Sequence, residues 1–447
     1  MSCRIGCGAG YAGDRLEPAI ELVERGNLDY LVFECLAERT IALAQQARAA
    51  DPALGFDDRL DERMEAVLAP AFTRRIRIIT NMGAANPTAA GDHVVALATR
   101  LGLHRLRVAV VTGDDVLTLV RERSCCDLDT GDPLPDALIS ANAYLGAEPI
   151  AAALAQGADV VITGRVADPS LFVAPLVIHY GWRFDDWTRL GRATVVGHLL
   201  ECAGQVTGGY FADPEVPGGR KVVDDLSRLG FPLAEVADDG TAVITKVAGS
   251  GGCVSAATCK EQLLYELHAP SAYVTPDVVA DFSRVRVHEE GRDRVRVTGA
   301  DGRVRTDTLK VSVGSQDGWM GEGSISYAGP GAVARARLGA EIVAGRLRLI
   351  GIRPREMRYD VIGVDALHPI GLARSAPAPY EVRLRVAARA DSARDARRIA
   401  REVEALYTNG PAGGGGAAVV VKPVLTMRST LIPRELVEPH VQLTEVP

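Results

Sequence analysis

CRIGCGAGYAGDRLEPAIELVERGNLDYLVFECLAERT, residues Cys3 to Thr40, carries the pattern on which the rest of the chain is built. A short apolar run, Arg4 to Cys7, breaks into a turn holding Gly8, Gly10 and Gly13. An amphipathic helix is expected from Pro18 to Gly26, and a second apolar run, Tyr30 to Phe33, ends in Glu34 and Cys35. Strand, small-residue turn, helix and strand make a βαβ unit, whose crossover suits a parallel sheet. Such sheets hold ligands outside the carboxyl ends of their strands. The residues just past each strand are therefore the ones to read for chemistry.

The same logic recurs downstream. A strand at Arg77 to Thr80 ends in Asn81 through Pro87, with a helix expected from Thr88 to Gly102. Leu106 to Val111 ends in Thr112, Gly113, Asp114 and Asp115, and Ala158 to Ile162 ends in Thr163, Gly164, Arg165 and Asp168. Helical spacing marks Thr40 to Ala50, a segment running to Pro70, Ala147 to Gln156 and Ala193 to Gly204. Ser124 to Leu138 loosens into turn residues and reads as a loop or lid. The expected fold class is α/β, a doubly wound parallel Rossmann-like sheet over residues 1–215.

Gly, Pro and Asp crowd the stretch Gly208 to Asp225, which reads as a linker or surface excursion. Alternating runs follow at Val243 to Val247, Val285 to His288, Val295 to Thr298, Leu309 to Val313, Met357 to Val364 and Tyr380 to Ala388. Alternation is the mark of antiparallel strands with one wet face. With helices expected at Ser255 to His268, Gly331 to Gly345 and Ser392 to Tyr407, residues 216–447 read as a second, α+β domain with an antiparallel sheet.

A chain of 447 residues is too long for one ordinary core. Its net charge of −7, with signs well mixed, argues against a nucleic-acid groove. No apolar run approaches the roughly 18 to 20 residues of a membrane span. The opening MSCRIGCGAG lacks the charged-then-apolar order of a secretory signal, so a cytoplasmic protein is expected. Eight cysteines are sparse over a long chain and show no CxxC spacing, which favours free thiols, and no metal is expected.

Gly8, Gly10 and Gly13 satisfy G-x-G-x-x-G between a strand and a helix, and Glu34 follows about 20 residues later, where a dinucleotide site places its ribose carboxylate. Tight strand–helix packing explains the same glycines equally. Glu34 reads either as a general acid or base tuned by burial, or as an ion-pair or capping partner. Cys35 has no histidine in its loop and reads as a buried apolar thiol. Asn81 and Asn86 can polarise a carbonyl or cap the next helix. Asp114 and Asp115 read first as helix caps. Arg165, beside Gly164, is either a clamp for an anionic ligand or one half of an internal pair with Asp168. His198 and Glu201 share a helix face and read as a surface or interface pair. Gly251, in a glycine loop ahead of a helix, and Gly413, in the run to Gly416, can bring backbone amides to an anion such as a CoA phosphate.

Several strings occur in order: Gly8–Gly10–Gly13 with Asp14 and Arg15, LDYLVFECLAERT (Leu28 to Thr40), ITNMGAANP (Ile79 to Pro87), ITGRVADPSL (Ile162 to Leu171), HLLECAGQVTGGYFADP (His198 to Pro214) and NGPAGGGG (Asn409 to Gly416). Together they resemble the core of the acyclic terpene utilisation (AtuA) family over nearly the whole chain. The resemblance implies bacterial catabolism or modification of branched acyl-CoA compounds, but brings no settled catalytic residues. It also implies that the ferredoxin-like domain of larger members could be a separately encoded partner.

These readings converge on an enzyme of hydratase, dehydratase or lyase type. Glu34 would move the proton, Asn81 and Asn86 would polarise a carbonyl, Arg165 would clamp an anion and Asp168 would orient Arg165. No cofactor is required beyond CoA as part of the substrate, and a homo-oligomer is expected. The alternatives are an NAD(P)-dependent oxidoreductase using Gly8 to Gly13, and a non-catalytic partner subunit of an acyl-CoA-processing complex.

Overall fold

The computed structural model describes residues 2–216, 218–219, 221–368 and 379–447. The opening stretch folds as its pattern predicts. Strands β1 (Cys3–Ala9) and β2 (Tyr30–Phe33) are parallel neighbours, Ile5 opposite Tyr30 and Cys7 opposite Val32, joined through α1 (Glu17–Arg25). Pro18 sits in the first turn of α1, where a missing N–H leaves nothing unsatisfied. All four residues of β2 are buried, because both faces of the sheet are covered and alternation would serve nothing.

The chain continues through α2 (Glu38–Ala50), α3 (Leu60–Arg74), β3 (Arg77–Thr80), α4 (Pro87–Arg100), β4 (Arg107–Thr112), α5 (Leu117–Glu122), β5 (Leu138–Ala143), α6 (Ala147–Ala155) and β6 (Val160–Thr163). Strands β1-β2-β3-β6-β4 are parallel in that spatial order, with β6 inserted between β3 and β4. Helices α7 (Ser170–Tyr180) and α8 (Trp187–Leu200) then lead to the hairpin of β7 (Pro232–Val236) and β8 (Ala242–Lys246). After α9 (Ala256–Leu264) come β9 (Tyr273–Val274), β10 (Val279–Asp281), β11 (Arg286–Gly291), β12 (Arg294–Thr298) and β13 (Asp301–Arg303). Helices α1, α3 and α4 pack in one group, and α6, α7 and α8 in another.

The sheet is mixed where a parallel one was expected. Strand β7 lies antiparallel to β1, with Ile5 opposite Ala234, and β8, β12 and β11 extend that edge. The far edge is closed by a strand from the end of the chain, described below. The 215/216 division is also not where the chain separates. The compact units are Met1–Gly314 with Met427–Pro447, and Ser315–Thr426. Ladder hydrogen bonds from β1 to β7 carry the first unit straight across the expected boundary. Within the Gly208 to Asp225 stretch, Pro217 and Arg220 lie outside the described residues.

The second unit is simpler. Parts of β14 (Thr308–Ala328) and, after α10 (Ala332–Leu349), β15 (Glu356–Ile362), β16 (Glu381–Ala390), α11 (Ala393–Glu404) and α12 (Leu406–Asn409), of β17 (Gly415–Pro433) make a sheet ordered β15-β16-β14-β17. Ala396, Ile399, Ala400 and Val403 form the buried stripe of α11, which packs on β16. The chain ends in β18 (His440–Glu445), antiparallel to β4 in the first unit. Among the described residues no helix is long and apolar enough to cross a membrane, and all eight cysteines are free.

Gly10 gives a test of this packing. A Cβ there would overlap the backbone of Cys202 and Ala203, which cannot swing aside as a side chain can. Gly10→Ala is expected to destabilise the first unit by about 1 to 3 kcal/mol, read as a lowered urea midpoint; an unchanged midpoint would show that the contact is slack.

Candidate functional site

Three strand ends meet. Glu34 follows β2, Asn81 follows β3 and Arg165 follows β6, and all three are buried. Asn81 Nδ2 donates to Glu34 Oε1 at 2.9 Å, and the Leu36 backbone N–H donates to the same oxygen at 2.9 Å. Asn81 Oδ1 in turn accepts from the Cys35 N–H at 2.8 Å. The Asn81 amide therefore holds Glu34 and the turn behind it.

Arg165 spends its donors inside the protein. Nη1 donates to the Leu36 carbonyl at 2.5 Å, Nε to the Val166 carbonyl at 2.9 Å, and Nη2 pairs with Asp168. Its guanidinium lies 4.7 Å from the ring centre of Tyr144. The Arg165 backbone N–H is taken by Asp114 Oδ2 at 2.9 Å, an oxygen that also accepts from Asn142 Nδ2 at 2.9 Å. Of the two readings of Arg165, the internal pair with Asp168 is the one the geometry adopts.

The remaining expected residues do not join this group. Asn86 caps α4 through the Ala89 N–H, and its Nδ2 donates to the carbonyls of Pro52 and Leu54. Gly8 faces the Phe33 ring, Gly10 the Cys202 backbone and Gly13 the Tyr11 ring, so protein occupies the space each glycine leaves. Gly164 makes room for the Asp114 carboxylate, and Gly251 for the backbone of Asp225 and Arg228. Gly413 lies in the second unit, near Arg335. His198 and Glu201 do share a helix face, but that face is buried and not at the surface: His198 Nδ1 lies 2.8 Å from Glu201 Oε1.

Electrostatics separate the carboxylates. Burial pushes Glu34 well above the ordinary carboxylate range, and the charge of Asp168 adds to this against Arg165, Asn81 and the Leu36 N–H. Asp168 is raised to about 6, by burial first, with Arg165 opposing and Glu201 and Glu266 reinforcing. Its side chain keeps 36% of its surface, so it is the carboxylate that solvent reaches. Asp114 is likewise raised to about 6 by burial, against the Arg165 N–H and Asn142. Burial also raises the Cys35 thiol, as suits a small apolar residue. Two unlike carboxylates whose charges act on one another can divide acid and base duties.

Tyr144 and Asn142 were not foreseen. Tyr144 and Asn142 belong to β5 and its end, and finding that strand would have exposed both. Among the described residues, one trio of potential metal donors lies within joint reach: Cys3, Asp29 and His179, at the amino ends of β1 and β2. Clefts of about 570 and 590 Å³ open elsewhere on the first unit, one lined by Tyr265 and the other by Lys246.

Fold and site thus define an α/β protein with a buried Glu34 and a half-buried Asp168 at the carboxyl ends of its parallel strands. Residues 3–443 match the family model described as acyclic terpene utilisation family protein AtuA, and the chain belongs to that family. No curated protein matches it.

The two carboxylates share the pH sign of a raised pKa and differ in what their replacement leaves behind. Glu34 is protonated more readily folded than unfolded, so its contribution is complete below about pH 4 and is lost as pH rises through the folded value. Glu34→Gln keeps an acceptor for Asn81 and Leu36, and is expected to raise the melting temperature at pH 8 more than at pH 5. Asp168→Asn strips a buried guanidinium of its counter-ion and is expected to lower stability, by up to about 3 to 5 kcal/mol. Thermal melts of both variants at the two pH values check this.

Proposed function

We propose that the protein is an enzyme that adds or removes water across a carbon–carbon double bond in a branched acyl-CoA or related acid, within acyclic terpene catabolism. The observation that carries the reading is the pairing of Glu34, pushed well above the ordinary carboxylate range by burial, with Asp168, raised only to about 6 and open to solvent. In this reading the carboxyl shifted further offers a proton and the other accepts one.

In the hydration direction Asp168 takes a proton from water as the water oxygen bonds to the β-carbon. The π electrons move to the α-carbon, which receives the Glu34 proton. Dehydration is the reverse. Asn81 positions Glu34 and Arg165 positions Asp168, so neither the carbonyl-polarising role first expected for Asn81 nor the anion clamp first expected for Arg165 is part of this scheme. CoA enters only as part of the substrate, and the reaction is placed in the cytoplasm. A separately encoded ferredoxin-like partner would show itself by co-purification.

Turnover of a branched enoyl-CoA is the direct test. Glu34→Gln is expected to reduce kcat by about 10² to 10⁴. The wild-type rate should climb as pH rises through about 6, where Asp168 ionises, and fall again at higher pH as Glu34 loses its proton. A flat profile, or full activity in Glu34→Gln, would end the proposal. A melting shift with NAD(P)(H) and none with acyl-CoAs would favour the oxidoreductase instead.

A further inference from the structure

Three unlike metal donors meet at the ends of β1 and β2 away from Glu34. Cys3 opens β1, Asp29 directly precedes β2 and His179 lies in the last turn of α7. The thiol sulfur, a carboxylate oxygen and an imidazole nitrogen all lie within 4.8 Å of one another. Three atoms that close surround a point about 2.8 Å or less from each, against zinc–ligand bonds of about 2.0 to 2.3 Å. Movements of less than about 1 Å would therefore complete the bonds. Cys3 is buried, Asp29 half-buried and His179 exposed, so the trio reaches solvent on the histidine side.

The fold holds each donor in place. Asp29 Oδ2 accepts from the Arg4 N–H at 2.8 Å, and the Asp29 N–H donates to the Arg4 carbonyl at 2.8 Å. The Cys3 N–H donates to the Tyr180 hydroxyl at 2.9 Å, which donates in turn to the Val236 carbonyl at 2.6 Å. The His179 ring meets the rings of Tyr30 and Tyr180 edge-on, with centroids 6.2 and 4.7 Å away. Anchoring of this kind is what orients ligands around a metal. The carbonyl end of α7 also favours a positive charge beside His179. Burial first, and then the Asp29 charge, raise the Cys3 thiol above its ordinary range. A buried, raised thiol is a poor nucleophile, which sets aside a Cys–His–Asp catalytic triad. Magnesium and calcium take oxygen ligands, whereas sulfur, nitrogen and carboxylate together suit zinc.

We propose that Cys3, Asp29 and His179 bind one Zn²⁺ ion, with water in the fourth position, and that the ion clamps the start of β1 to the lead-in of β2 and the end of α7. The zinc–sulfur bond forms as the thiol proton leaves to solvent, and no electron changes hands. Thiolate and carboxylate then balance the charge of the ion. No short motif announces the site, because its ligands come from three separate elements. The site does not depend on the hydration–dehydration reading above.

The test is calorimetric titration of the untagged full chain, stripped with chelator, with Zn²⁺. One ion per chain is expected, and excess Mg²⁺ should not displace it. Cys3→Ser, Asp29→Asn and His179→Gln are each expected to weaken binding by at least about tenfold. Saturating Zn²⁺ should raise the melting temperature of the wild type and not that of the variants. Co²⁺ in place of zinc reads the sulfur directly, through a thiolate-to-cobalt charge-transfer band present in the wild type and absent in Cys3→Ser. No zinc binding by the wild type, no such band, or undiminished binding by His179→Gln would overturn the proposal. The trio would then be a core thiol, a carboxylate holding the Arg4 N–H and a surface histidine. His179 is exposed, so if Cys3→Ser fails to fold, His179→Gln and the wild-type cobalt spectrum decide.

Discussion

The Arg165 side chain is the constraint on which the site depends. One guanidinium reaches the turn after β2 through Leu36, its own strand end through Val166, and Asp168. Tyr144, just past β5, covers its face. A planar fork with five donors can tie several loops at once, which a lysine cannot. A buried guanidinium is costly unless every donor is met, so its neighbours are held to the positions that meet them. Asp168 is thereby fixed where its charge acts on Glu34.

Small residues supply the second constraint. Gly10 lets the first βα turn press against the backbone of Cys202, and Gly164 lets Asp114 reach the Arg165 N–H. The first contact brings the His198–Cys202 segment to the carboxyl end of β1. The glycines of the opening turn thus serve close approach of protein to protein.

Much of this was legible in the residues. Burial on both faces gave β1, β2, β3, β4 and β6 their continuous apolar runs, and position past a strand end picked out Glu34, Asn81, Arg165 and Asp168. What stayed hidden has physical reasons. Helix α7, SLFVAPLVIHY, is buried on nearly all sides and carries Pro175, so it lacks a polar face to give a period. Strand β5, LISANA, mixes polar and small residues, because Asn142 points into a hydrogen-bonded cluster and not into an apolar core. Strands β17 and β18 are partly exposed edges with weak alternation. Asn86 illustrates the limit of strand-end reasoning: cap and ligand contact use the same amide, and only the carbonyls of Pro52 and Leu54 decide between them.

The pairing of β18 with β4 has a consequence for biogenesis. Residues 107–112 emerge from the ribosome more than 300 residues before their neighbour at 440–445, with His440 matched to Thr112 and Glu445 to Arg107. Ser315 to Thr426 form one continuous segment and can condense first. Throughout that interval β4 presents an open edge of unpaired amides, the kind of template that recruits foreign strands. Nascent chains halted before residue 440 should accordingly be the species most dependent on chaperones.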